Sequence, residues 1–522
     1  MARKKKRIRQ QEAAPLPEVR GEGKAMKHLP VVIILIAASI LILMNLGNIY
    51  LWQDEAQTAC IAKTILTHGV PLGYDGKNCF SQELRKEYGK NYAWRWHTWL
   101  PFYVLAGFFA AFGTSTFVCR LPFALFGIGT IILTYYFGKA LWGERRAGLL
   151  AAILLILSVP FLLLARQCRY YAPMAFFSIA GLYAYTAMLD RRRGAPVIFV
   201  AASVLLFHTN YISYGALAAT VIAHALIFRR DRLRPALLAS AVGAILVLPW
   251  AIWLATMPYR EMHAGHVFDF RTKAYLLWLC LAHTAKYIFP PAMLLLAAGV
   301  YVAARYRRVR TKPAESDTRA SLALLLLFSA FTMLSISLLM PFAPFRSLAA
   351  LIPVCCLIMA RIVGSSLDLS PVLGLAVLFL FAQWARMPGY IYEIRHDYDG
   401  PIEGIVTYLN EHGEDRDIVA APHEDLPIKF YTKMRVIGAL TGESLSDTGK
   451  ADWIIRRRFV VEGREYQVMQ LLAQRMSPDD FEEITLEGYP DIMYENREDP
   501  GEHRFRTDDR VPPVVIYHRI HR

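Results

Sequence analysis

Apolar runs long enough to enter a lipid bilayer recur along this chain, and they restrict what it can fold into. Twelve are marked: Pro30–Tyr50, Thr98–Phe112, Cys119–Ala140, Ala147–Leu164, Ala172–Leu189, Pro196–Tyr211, Ile212–Phe228, Pro235–Ala255, Ala274–Ala304, Leu322–Met340, Leu348–Ile362 and Pro371–Ala385. A helix needs ~20 apolar residues to cross a hydrocarbon core of ~30 Å. In lipid each backbone amide must be satisfied within the chain, so such runs fold as helices. With 55% of the 522 residues hydrophobic and 19% charged, the chain reads as a polytopic α-helical membrane protein. After Arg386 charges return and no run could span. The expected organisation is a basic cytoplasmic segment 1–29, a membrane domain 30–387 with a first outer loop at 51–118, and a small C-terminal domain 388–522.

The net charge of +15 does not imply nucleic acid. Much of the basic excess lies in short loops and in Arg3-Lys4-Lys5-Lys6-Arg7-Ile8-Arg9, and basic loops of this kind set membrane orientation. A long polar stretch precedes the first run and no small-residue cleavage site follows it, so an uncleaved N-terminus is expected. If that N-terminus is cytoplasmic, letting every run span places Arg145-Arg146, Arg191-Arg192-Arg193, the Arg229–Arg234 cluster and the Arg305–Arg310 cluster outside. One change brings all four inside: Thr98–Phe112, roughly 22 Å as a helix, lies in the outer interface with Trp94, Trp96 and Trp99 near its start. Eleven spans remain, and the C-terminal domain is extracytoplasmic. Ala274–Ala304 is expected to break at Pro290-Pro291, interfacial or re-entrant before Lys286 and spanning after Tyr287.

That topology collects polar residues on the outer side. They are Asp54, Glu55, Arg95, His97, Arg166, Arg169, Tyr170, His208, Asn210, Glu261, His263, His266, Asp269 and Arg346. Carboxylates, histidines and arginines at the mouth of apolar helices suit an anionic, phosphate-bearing substrate. Asp54 reads as a general base for an acceptor hydroxyl, or as the N-cap of a helix over Ala56–Leu66. Glu55 either orients Asp54, holds a cation or sits in a first helical turn. Arg166 and Arg169 clamp a lipid phosphate or snorkel to headgroups, and Arg346 in an apolar outer loop calls for an anion. His263 and His266, with Glu261, could contact the acceptor or hold a divalent metal ion; ordinary loop histidines are the alternative. No other cofactor is indicated. Cys60 and Cys79 share the outer loop and are either a disulfide or two thiols.

Several segments carry a family resemblance. Trp52-Gln53-Asp54-Glu55-Ala56 through Gly69-Val70-Pro71 resembles the first outer loop of the membrane-embedded GT-C glycosyltransferases, closest to the branch of protein O-mannosyltransferases and aminoarabinose (lipid A) transferases. His97–Tyr103, Phe112–Pro122, Leu141–Gly148, Arg169-Tyr170-Tyr171-Ala172 and Phe345-Arg346-Ser347-Leu348 match in order and spacing. The resemblance covers roughly residues 30 to 363. It implies a polyprenyl-phosphate-linked sugar donor used on the outer face of the cytoplasmic (inner) membrane, with a glycan, lipid or protein as acceptor. It implies inversion at the sugar, with Asp54 as the catalytic carboxylate and Arg346 or the Arg166/Arg169 pair on the donor phosphate. Two departures stand out. Relatives often carry Lys-Pro-Pro where this chain has His97-Thr98-Trp99, so a phosphate contact would fall to His97. They also often carry a second Asp near Arg169-Tyr170, which this chain lacks.

The C-terminal residues read as an α/β unit. Ile402, Ile405, Val406 and Leu409 follow the helical period over Pro401–His412. Strands are expected at Asp417–Ala421, Val436–Ala439, Asp452–Ile455, Phe481–Leu486 and Val511–His518, with helices at Leu426–Lys433 and Gly463–Arg475. The competing reading is a transporter or lipid flippase. That would place polar groups at mid-membrane depth and show repeated halves, whereas the polar set here lies at the outer rim.

Overall fold

The computed structural model describes residues 24–256, 269–306, 316–439, 441–458, 470, 474, 478–492, 496–508 and 510–520. A bundle of apolar helices carries, at one end, a structured loop and a small mixed sheet. Six helices are long and apolar enough to cross a membrane, or up to nine if each of three bent pairs is one span. Leu29–Leu43 and Ala195–Phe207 are shorter apolar helices, as is Leu100–Phe112. The bends fall where prolines remove amide donors. Pro160 stands in the first turn of Val159–Ala165, which meets Arg145–Leu157 at 72°, and Pro290-Pro291 separate Phe270–Ile288 from Ala292–Ala303 at 70°.

The first run departs from its expected extent. Helix α1 (Lys24–Leu43) stops well short of Tyr50, and Asn45 adopts φ +48° in the turn that follows. Two arginines from later in the chain take the carbonyls this ending leaves bare. Arg166 donates to Ile42 O at 3.0 Å, Met44 O at 2.7 Å and Asn45 O at 2.9 Å. Arg120 donates to Leu46 O at 3.0 Å and Ile49 O at 2.7 Å. Buried carbonyls need such donors.

The loop after α1, expected to be the first outer loop, begins with α2 (Gln53–His68), which ends at Gly69 in the left-handed region (φ +72°). The segment expected at the interface forms α3 (Leu100–Phe112). Trp99 leads into it, packed edge-on against Trp250 and Trp253. Helix α4 (Thr116–Trp142) starts at Ser115, whose hydroxyl accepts from Val118 N. Helix α5 (Arg145–Leu157) lies against α4 through Gly148, where a Cβ would sit 2.4 Å from Tyr135 O. Small residues permit such close helix pairs in lipid. Helices α6 (Val159–Ala165) and α7 (Tyr171–Leu189) flank the tight turn Arg166–Tyr170.

The C-terminal sheet has order β2-β1-β3-β5-β4. Strands β1 (Ile418–Ala421), β2 (Arg435–Gly438) and β3 (Trp453–Arg456) run parallel. Strands β4 (Phe481–Pro490) and β5 (Pro513–Arg519) complete it antiparallel. The parallel half needs crossovers, and helix Asp425–Tyr431 supplies the one between β1 and β2. Helix Pro401–His412 buries Ile402, Ile405, Val406 and Leu409 on the sheet. Of the helix expected at Gly463–Arg475 only Gln470 and Gln474 are among the described residues, both helical.

This domain is fastened to the outer loop by buried polar contacts. Lys429 Nζ reaches Asp425 at 3.0 Å, Glu443 at 2.9 Å and the carbonyl of Cys79 at 2.9 Å. Gln53 donates to Asp425 Oδ1 at 2.9 Å, and Asn78 bridges Met434 O and Val436 N. Cys60 and Cys79 are both buried free thiols, so the disulfide alternative does not hold.

Candidate active site

Helix α2 starts at Gln53 with Trp52 as its N-cap residue, so Asp54 lies inside the first turn and is not the cap. Carboxylates are favoured there by the helix dipole. Neighbouring residues on a helix are ~100° apart, and the two carboxylates accordingly face different surroundings.

Asp54 faces an open cavity and is 7% exposed. Gln82 Nε2 donates to its Oδ1 at 2.9 Å. Its Oδ2 lies 3.3 Å from Arg169 Nη2 and 3.6 Å from Arg346 Nη2. Arg169 Nη1 also donates to Asp54 O and to Thr58 Oγ1, both at 3.0 Å. The arginines come from separate segments: Arg169 from the turn before α7, Arg346 from a short 3-10 turn, Phe345–Leu348. Burial pushes the Asp54 carboxyl up, but Arg169, Arg346 and the Gln82 hydrogen bond outweigh it and hold the group below the usual carboxylate range.

Glu55 turns away from the cavity and is fully enclosed. Arg120 grips it with a two-pronged pair, Nε to Oε1 at 2.9 Å and Nη2 to Oε2 at 2.7 Å. Cys168 N and Asn496 Nδ2 donate to it at 2.7 and 2.8 Å. Four donors leave it a structural anchor joining α2, α4, the Arg166–Tyr170 turn and the C-terminal domain. A catalytic part for Glu55 has no geometric support. Arg166 likewise does not line the cavity; its guanidinium is engaged at the end of α1.

The cavity has a volume of about 770 Å³. Asp54, Gln57, Gln82, Arg169, Tyr170 and Arg346 form its polar part, with Glu83 and Glu87 at one side. Trp96, His97 and Tyr211 also line it, and Leu338–Phe342 with Pro344 make an apolar wall. His97 sits between Trp94 and Tyr170, at ring distances of 6.4 and 5.6 Å. Asn210 lines the cavity while capping the helix Tyr211–Phe228. Several buried atoms here have no hydrogen-bond partner among the described residues: Asp54 Oδ2, Arg169 Nε, Tyr171 Oη and Glu498 Oε2. A polar ligand would satisfy groups of this kind.

Other expected members lie elsewhere. Arg95 bonds Thr256 Oγ1 at 2.7 Å and covers the Trp253 ring. His208 packs edge-on against Trp250, and Asp269 caps the helix Phe270–His283. Glu261, His263 and His266 fall outside the described residues. Among the described residues no group of three or more His, Cys, Asp or Glu could hold a metal ion.

Four contributors escaped the sequence reading. Gln82 and Glu87 stand in a loop without periodicity. Glu87 accepts from Glu83 N at 3.2 Å and Gln57 Nε2 at 3.3 Å. Burial pushes its carboxyl up to about 7, despite those hydrogen bonds and the one from Gln82 N. Asn496 and Glu498 reach in from the C-terminal domain, and Glu498 Oε1 lies 2.5 Å from Arg346 Nη1.

Residues 96–253 match the family model of dolichyl-phosphate-mannose-protein mannosyltransferases. No curated protein sequence matches significantly. Among solved structures, the chain is similar to ArnT from Cupriavidus metallidurans bound to undecaprenyl phosphate, with TM-score 0.56 at 12% identity over 95% of this chain and 98% of that one. It is also similar to the archaeal oligosaccharyltransferase AglB from Archaeoglobus fulgidus in complex with an inhibitory peptide and a dolichol-phosphate, with TM-score 0.55 at 14% identity over 87% and 72%. On these matches and its helical architecture, the chain is a multi-pass membrane protein whose fold is similar to that of ArnT and AglB, and whose residues 96–253 match the mannosyltransferase family model.

Proposed function

We propose that this protein moves a sugar from a polyprenyl-phosphate carrier to an acceptor hydroxyl, on the outer face of the cytoplasmic membrane. One observation carries the reading: Asp54 faces buried Arg169 and half-buried Arg346 in a cavity that also has an apolar wall. The arginines suit a phosphate, and the wall suits the first isoprene units of its lipid. That the ArnT and AglB structures hold undecaprenyl phosphate and dolichol-phosphate supports the same class of donor.

The chemistry is a single displacement. Asp54 takes the acceptor proton as the oxygen attacks the anomeric carbon; the bond from that carbon to the phosphate oxygen breaks, and the electron pair leaves with the phosphate. Arg169 and Arg346 stabilise the charge that develops on it. The same arginines keep Asp54 a weak base while the site is empty. A phosphate that shares their charge weakens that hold, so Asp54 becomes more basic when donor is bound.

The test is transfer by purified protein from a polyprenyl-phosphate sugar of known anomeric configuration, with NMR of the product. Inversion is expected. Retention would reject single displacement, and no transfer from any such donor would reject the enzyme.

A further inference from the structure

Ion pairs link four charged side chains at the cavity: Arg169, Arg346 and Asp54 line it, and Glu498 pairs with Arg346 from outside the lining. The fourth member is unlike the others. Glu498 belongs to the C-terminal domain and reaches Arg346 from an irregular segment, between two points where that segment is tied down. Before it, Asn496 Nδ2 donates to Glu55 Oε2 at 2.8 Å and Gln167 Nε2 donates to Asn496 O at 3.0 Å. After it, Arg386 donates to Pro500 O and His503 Nε2 meets Glu393 Oε2 at 2.5 Å.

Glu498 is 4% exposed. One of its oxygens faces Arg346, and the other is buried without a hydrogen-bond partner among the described residues. A buried carboxylate oxygen left unbonded is costly. A lipid phosphate arriving at Arg346 would leave the floor with surplus negative charge in a partly dehydrated place. One carboxylate must then give way. Asp54 is fixed on a helix and by Gln82, whereas Glu498 stands on a turn.

We propose that Glu498 is a positioning residue that occupies Arg346 in place of the donor phosphate and exchanges with it in each turnover. The idea rests on reading Arg346 as a phosphate-binding group. In the empty site Glu498 holds the guanidinium over the cavity. Donor displaces it. After transfer the carrier leaves as a phosphate monoester, more negative than the donor diester, and the return of Glu498 to Arg346 helps expel it. The C-terminal domain thus takes part in product release.

The experiment measures binding of undecaprenyl phosphate to the full chain in detergent, alongside donor KM and kcat. Glu498→Gln keeps the shape and removes the competing charge. It is expected to bind the lipid phosphate about tenfold more tightly, with lower KM and lower kcat. Glu498→Asp keeps the charge and is expected to bind as the parent does. Binding by Glu498→Gln that is unchanged or weaker overturns the proposal, as does Glu498→Asp binding as tightly as Glu498→Gln.

Arg346→Ala separates this failure from a deeper one. If it binds the lipid phosphate like the parent, the phosphate reading of Arg346 is wrong and the exchange falls with it. If it binds weakly while Glu498→Gln shows no gain, only the exchange is wrong. Hydrogen exchange on the unaltered protein covers the case of a variant that does not fold. Amides of 496–502 are expected to exchange faster once undecaprenyl phosphate is added; equal or slower exchange rejects the proposal.

Discussion

Asp54 and Glu55 are adjacent carboxylates with opposite fates, and their difference is set by what each one faces. Asp54 meets the cavity with one oxygen unbonded, while Glu55 has four donors and no access. Glu55→Gln is therefore expected to act on stability. Breaking a buried ion pair costs ~3–5 kcal/mol, so the melting temperature should fall, and the protein that stays folded should keep its affinity for lipid phosphate. Normal melting with lost affinity would contradict this. Arginine is also not interchangeable with lysine here. Arg169 donates to a carbonyl and a hydroxyl while its other terminal nitrogen lies 3.3 Å from a carboxylate oxygen, which a single ammonium cannot reproduce. Arg169→Lys is expected to cut kcat/KM by roughly tenfold or more, measured with the polyprenyl-phosphate donor. Glu87 adds a pH dependence. Its folded carboxyl titrates near 7, above the usual carboxylate range, so its contribution to stability is present at low pH and is lost as pH rises through about 7. Melting temperatures between pH 5 and 8 should fall more steeply for the parent than for Glu87→Gln; parallel curves would exclude it. Asp54, Arg169, Tyr170, His97 and Arg346 could be picked out from the sequence because polar residues at the mouths of apolar runs are expensive. Arg166 and Arg169 could not be told apart. Three positions separate them, and only the turn between α6 and α7 sends one to a helix end and the other to the cavity.

At the scale of elements, much of the architecture was written in periodicity and punctuation. The apolar runs gave helices, the Pro290-Pro291 pair gave one bend, and the alternating segments after residue 400 gave a mixed sheet with a helix at Pro401–His412; the bend at Pro160 was not expected. What periodicity could not show is how elements end. The first helix stops at Leu43 because Arg120 and Arg166, each far along the chain, supply donors for carbonyls that would otherwise be stranded. Nor does periodicity show docking. Lys429 is buried between Asp425 and Glu443 and also binds the outer loop at Cys79 O. Lys429→Met leaves two buried carboxylates without their cation, a loss of ~3–5 kcal/mol. Limited proteolysis should cut between the sheet domain and the outer loop sooner in that variant; an unchanged cleavage pattern would show that the docking rests on other contacts.

Across the whole molecule, the outer loop, the sheet domain and the cavity share one end of the bundle, and the described basic connections at Arg145-Arg146, Arg191–Arg193 and Arg229–Arg232 follow helices that lead away from it. This arrangement joins the sheet domain to residues of the site and its support, through Asn496 on Glu55 and Glu498 on Arg346, which no local pattern in that domain announced. It also gives a topology expectation. A tag at the C-terminus should be reachable from outside intact cells and a tag at the N-terminus should not; the reverse would place the cavity on the cytoplasmic face. The central claim is that Asp54 performs the transfer beside arginines that hold the carrier phosphate. The most direct measurement is single-turnover transfer by Asp54→Asn with undecaprenyl phosphate binding followed on the same preparation. The expected result is a rate lower by roughly 10²–10⁴-fold with lipid phosphate still bound. Transfer at the parent rate would contradict the account.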